Sequence, residues 1–111
     1  MIVTIPIRIE STQNLRECWQ VRAKRTKGHR LAVPWHLKAA KAPQVLPCTV
    51  TLTRIAPRAL DSHDNLRAGL KAAVDGVADW LQADDADPRI TWLYAQAKGK
   101  PKQYALQVEI A

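Results

Sequence analysis

Hydrophobic and polar positions alternate at both ends of the chain and recur with a longer period between them. In residues 2–10, Val3, Ile5, Ile7 and Ile9 share one parity, while Thr4, Arg8 and Glu10 take the other. A two-residue period predicts a half-buried strand, and Pro6 points to a sheet edge. Residues 14–41 lack β-branched runs; Leu15, Cys18, Trp19 and Arg22 follow helical spacing, with Thr12 or Asn14 as N-cap. Gly28 and Pro34 predict that this helix breaks or restarts near residues 28–34. Pro43 and Pro47 mark a loop.

Cys48, Val50 and Leu52 then alternate with Thr49, Thr51 and Thr53, predicting a strand over residues 48–56. From Asp61 to about Gln82, Leu66, Leu70, Val74, Val77 and Leu81 recur at 3.6-residue spacing, the stripe of an amphipathic helix. Residues 83–88 read as a turn. Strands follow over 89–97, with Ile90, Trp92 and Tyr94 on one face, and over 103–110, with Tyr104, Leu106, Val108 and Ile110. The short Lys98-Gly99-Lys100-Pro101 link predicts a hairpin between them. The expected architecture is a single α+β domain over residues 1–111, β-α-β-α-β-β, with helices packed on a mixed sheet.

Composition fits that expectation. A length of 111 residues is one domain, and 47% hydrophobic with 24% charged residues excludes wholesale disorder. No apolar run approaches the ~20 residues of a membrane span, so no membrane partner is expected. The N-terminal MIVTIPIRIE lacks the pattern of a signal peptide. Cys18 and Cys48 are too few for a disulfide scaffold and fit a reducing compartment. The expected location is the cytoplasm of a bacterium or of a phage-infected host.

Charge changes the picture more than composition does. The chain carries 17 Lys and Arg against 10 Asp and Glu, a net +7, and a surplus of that size suggests a polyanionic partner. Seven of the ten acids (Asp61, Asp64, Asp75, Asp79, Asp84, Asp85, Asp87) fall in residues 61–87 beside only Arg67 and Lys71. That segment stands at −5, and the rest of the chain at +12. A simple DNA-binding module has no use for an acidic block, which repels phosphate. A metal-dependent nuclease does, because carboxylates gather Mg²⁺ or Mn²⁺ and the basic surround draws in the backbone.

The plainer readings of the same residues are a solvated helix face and an acidic turn. Asp61 can serve as an N-cap with Asp64 at the third helical position, and Asp84, Asp85 and Asp87 as turn residues ahead of Pro88. Asp64, Lys71 and Asp75 lie close to two and three helical turns apart and share a face. The two acidic clusters meet only if the turn folds back along the helix. His29, His36 and His63 are scattered, without zinc-site spacing.

In combination these segments are more specific. D-S-H-D-N-L at a helix start, then K-A-A-V-D-G-V-A-D-W-L, then D-D-A-D-P-R-I-T-W resembles the RusA-type Holliday junction resolvase family, particularly its phage and prophage branch. The resemblance covers residues 54–110 and is loose before them. It implies a Mg²⁺-dependent endonuclease, with Mn²⁺ as a possible substitute, acting as a homodimer on four-way DNA junctions.

By position, Asp64 and Asn65 match the end of the family's D-x-D-N motif, Lys71 its helix lysine and Asp75 the aspartate four residues on. The third catalytic aspartate falls on Asp85 or Asp87. Two departures stand out: the first aspartate of D-x-D falls on Ser62, with Asp61 one residue earlier as substitute ligand, and Lys71 lies seven residues past Asp64. The implied metal set is Asp61, Asp64 and one of Asp85 or Asp87, with Lys71, or Arg67, offsetting charge on the phosphate. The DNA backbone is expected on Arg22, Lys24, Arg25, Lys27, Arg30, Arg54, Arg58, Arg67, Lys98, Lys100 and Lys102. The competing expectations are a catalytically degenerate nucleic-acid-binding relative and a small RNA-binding protein.

Overall fold

Six elements follow in the expected order: β1 (Ile2–Ile5), α1 (Trp19–Ala39), β2 (Cys48–Ala56), α2 (Asn65–Leu81), β3 (Ile90–Lys98) and β4 (Ala105–Ile110). The computed structural model describes residues 1–9, 19–59 and 65–111. The proposed first caps, Thr12 and Asn14, and the junction residues Asp61, Ser62, His63 and Asp64 lie outside the described residues. So do the side chains of Trp19, Val21, Arg22 and Asn65.

The four strands form one mixed sheet in the order β1-β4-β2-β3. β2 runs parallel to β3 and antiparallel to β4, and β1 pairs antiparallel with β4. Because β2 separates β3 from β4, the expected hairpin through residues 98–101 does not form. The link spans the end of β2 instead, with the Gly99 N–H donating to the carbonyl of Ala56 at 2.9 Å. The reason lies in β2, whose inward residues from Cys48 to Ala56 are all buried; such a strand is most stable with neighbours on both sides. Pro6 follows β1, which is an edge strand as expected.

One face of the sheet holds the core. On it Val3 of β1, Val108 of β4, Leu52 of β2 and Tyr94 of β3 lie in register, flanked by Ile5 and Leu106 on one side and by Ile110, Val50 and Trp92 on the other. Both helices join this core. α2 brings Leu66, Leu70, Val74, Val77 and Leu81, all at most 7% exposed, and full burial of each such side chain contributes roughly 1.5–3 kcal/mol. α1 brings Val33 and Leu37, both fully buried. The opposite sheet face presents Thr49, Thr51 and Thr53 beside Gln107, Glu109 and the exposed Leu93.

α1 is continuous through the expected break, with Pro34 inside it. A proline removes the N–H that would reach the carbonyl of Arg30 and normally kinks the helix. Here Val33 and Leu37 anchor the turns on either side of it in the core, and Gly76 of α2 lies directly against the affected site. A Cβ on Gly76 would stand 2.8 Å from the Arg30 carbonyl oxygen and 2.9 Å from Val33 Cβ. Among the described residues, no helix is long and apolar enough to cross a membrane.

Candidate functional site

Both helices end in a left-handed residue, Lys41 at φ 56° and Gln82 at φ 55°. After α2, the Gln82 N–H donates to the Asp79 carbonyl at 3.2 Å and the Ala83 N–H to the Ala78 carbonyl at 3.1 Å. This paired capping pattern reverses the chain sharply. Residues 83–87 therefore double back beside α2 instead of leading away from it. Within the turn, Asp84 Oδ1 accepts from the Ala86 N–H at 2.9 Å, and Trp92 Nε1 of β3 donates to the Asp85 carbonyl at 2.9 Å.

So placed, Asp85 reaches the middle of the helix. Lys71 Nζ stands 2.6 Å from Asp85 Oδ2 and 3.1 Å from Asp75 Oδ1, so the sequence condition that the turn fold back is met as far as Lys71. Hydrogen bonding to Asp85, then to Asp75, holds the Lys71 ammonium charged above its ordinary range. The same Lys71 contact lowers the Asp85 carboxyl below the usual carboxylate range, with help from Asp84. Beside this triad is a hollow of about 190 Å³ lined by Arg30, Asp75, Ala78, Asp79, Ala83, Asp84 and Asp85.

Arg30 closes the hollow from α1. Its Nε and Nη2 donate to the two Asp79 carboxylate oxygens at 2.8 and 3.1 Å, a bidentate fork that also lowers the Asp79 carboxyl. Expected on the DNA backbone, Arg30 is instead turned to α2. Nothing in the sequence signals this pair, whose members are 49 residues apart.

The two candidates for the third aspartate separate here. Asp87 is gripped by Arg89, whose Nη2 is 2.8 Å from Asp87 Oδ2 and whose amide N–H donates to Asp87 Oδ1 at 2.9 Å. Asp85 is the member that meets Lys71, which also pairs with Asp75.

Asp61 and Asp64 lie outside the described residues. Among those described, no three His, Cys, Asp or Glu side chains converge as a metal-ion site. Asp75 and Asp85 supply the hard oxygens that Mg²⁺ takes, but they fall short of its usual ligand number.

The basic residues divide. Lys24, Lys27, Arg58, Arg67, Lys98, Lys100 and Lys102 are exposed and Arg25 is half-buried, and Arg67 lies over the Tyr94 ring at 5.2 Å. Arg54 departs from its expected place on a phosphate-facing surface. Only 7% exposed, it donates from Nε to the Ile9 carbonyl at 2.9 Å and from Nη1 to the Arg58 carbonyl at 2.6 Å. Its inward position on β2, in register with Leu106, carries it beneath the sheet end, where backbone carbonyls satisfy it. Compared with known proteins, the chain matches no family model and no curated protein.

Proposed function

We propose that the chain is a Mg²⁺-dependent endonuclease that nicks branched DNA as a homodimer. The observation that carries this reading is the return of the 83–87 turn along α2, which seats Asp85 on the same Lys71 ammonium that holds Asp75 on a chain of net charge +7. An isolated acidic turn has no need of a lysine fourteen residues back on a helix. A site that must hold carboxylates close together and then meet a phosphate does.

In this reading Asp85 would hold the metal with Asp64 and Asp61, and the ion would supply Lewis acidity and lower the pKa of water. Lys71 performs two tasks. It fixes the orientation of Asp85 through the 2.6 Å contact, and its ammonium offsets charge that gathers on the phosphate oxygens. The exposed lysines of α1 and of residues 98–102 hold the backbone, which positions DNA without selecting a sequence.

Cleavage of a synthetic four-way junction in Mg²⁺ tests the proposal. Asp64→Asn and Asp85→Asn are each expected to abolish nicking while binding the junction as tightly or more tightly, since a repulsive charge is removed. Undiminished nicking by both variants would overturn the site, and light scattering that finds only monomer at working concentration would overturn the dimer.

One observation favours a second reading, a non-catalytic DNA-binding relative. Asp79, Asp85 and Asp87 are each already paired with a cation of the chain, an arrangement that needs no metal. Junction binding without cleavage at any Mg²⁺ or Mn²⁺ concentration, with nicking restored by Ser62→Asp, identifies that case.

A further inference from the structure

The C-terminal ends of β2 and β3 carry two adjoining hollows away from the acidic cluster. The larger, about 310 Å³, is walled by Ala56, Pro57, Ala59, Gln96 and Lys98 over Arg54. The smaller, about 170 Å³, lies between Arg8, Arg58 and Tyr104. Both share Arg54, Ala56 and Pro57, so they form one trough. No Asp or Glu among the described residues lines it.

Arg54 builds the floor, and its bond to the Arg58 carbonyl fixes the loop that presents the Arg58 side chain. At one end the Arg8 guanidinium sits over the Tyr104 ring at 4.2 Å. Outside the trough's lining, a second such pair, Arg67 over Tyr94, stands two residues before Gln96 on the same face of β3. The trough thus sets cations beside one aromatic ring and the apolar walls of Ala56 and Pro57.

We propose that this trough binds an unpaired strand of nucleic acid, phosphates on Arg58 and Lys98 and a base against Tyr104. Stacked base pairs hide their faces and offer a protein surface mainly phosphate, for which Ala56, Pro57 and an aromatic ring have no use. A single strand presents both a charged backbone and free base faces, the two things this lining can take. The volume lies at the lower end of small-ligand pockets, sized for nucleotide units and not for a duplex. The inference rests on the nucleic-acid reading of the chain but not on its cleavage chemistry.

Fluorescence anisotropy in EDTA, at one fixed salt concentration, tests it with labelled dT and rU strands of about 12 nucleotides and a duplex of equal length. Tyr104→Ala is expected to weaken binding of the single strand about 5-fold or more, Tyr104→Phe to bind it as the wild type does, and both to bind the duplex within about 2-fold of it. Arg58→Ala, at an exposed side chain whose loss leaves the Arg54 bond in place, is expected to weaken the single strand as well. The tighter of dT and rU identifies the natural strand. Wild-type affinity for both single strands in folded Arg58→Ala and Tyr104→Ala, or equal losses on single strand and duplex, would overturn the proposal. Because no metal is present, a chain that fails to nick junctions yet shows these shifts loses its proposed activity and keeps the trough.

Discussion

Arg89 holds Asp87 twice, through its guanidinium and through its own amide N–H, and these contacts lower the Asp87 carboxyl from 3.8 to about 2. A carboxyl that is more acidic folded than unfolded stabilises the fold fully above its unfolded value, and the gain disappears as pH falls through the folded one. The contribution of Asp87 is therefore intact above about pH 4 and is lost between there and about pH 2. Urea denaturation from pH 6 to pH 2 should show the wild type's advantage over Asp87→Asn shrinking across that window; a difference independent of pH would refute it. The aspartates also show the limit of sequence reading at this scale. Asp85 and Asp87 sit two residues apart in the same acidic run, and only their partners separate them. Arg89, two residues on, was visible as a neighbour of Asp87, whereas the capture of Asp85 by Lys71 depends on the direction the chain takes after Leu81.

Periodicity located the later elements to within a few residues among those described, because one buried face imposes a regular spacing on strands and helices alike, but it overran the first strand, expected over residues 2–10 and ending at Ile5 just before Pro6. It failed where neighbours override local preference. Pro34 reads as a helix break, yet the helix runs through it because α2 packs across the weakened turn with a glycine. Ordinarily Ala in place of Gly favours a helix by roughly 0.5–1 kcal/mol, and Gly28, with nothing within 4 Å of its would-be Cβ, should follow that rule. Gly76 should not, since its Cβ would meet the Arg30 carbonyl oxygen at 2.8 Å and Val33 Cβ at 2.9 Å, and overpacking of this kind costs about 1–3 kcal/mol. Thermal melts should place Gly28→Ala above the wild type and Gly76→Ala below it by several degrees. A raised melting temperature for Gly76→Ala would mean that the two helices are not in this close contact. The left-handed Gln82 was equally illegible, for glycine usually occupies that position and nothing in Leu81-Gln82-Ala83 advertises a reversal.

Across the molecule, the acidic block, at −5, is too small to cancel a surround of +12, and among the described residues most of its carboxylates are paired with cations of the chain. Arg30 takes Asp79, Lys71 takes Asp75 and Asp85, and Arg89 takes Asp87. These partners leave the exposed Lys24, Lys27 and Lys38 of α1, Lys98 at the end of β3, and Lys100 and Lys102 after it, to set the field that a polyanion meets. The sequence made this division visible as two numbers, −5 and +12, but not its geometry, since the opposite order of β2 and β4 would have put residues 98–102 in a tight hairpin. If those lysines contact backbone phosphates, each releases condensed counterions on binding, and log K for duplex DNA should fall with log[salt] by about 0.9 per phosphate neutralised. About four to six contacts predict a slope of roughly −4 to −5. Replacing Lys98, Lys100 and Lys102 together by Gln should make the slope shallower by about 1 for each lysine that contacts phosphate. It should weaken all sequences alike, because none of these contacts reads a base. A slope near zero in the wild type would leave the net charge without a nucleic-acid role, and a wild-type slope in the triple variant would move the duplex contact to α1.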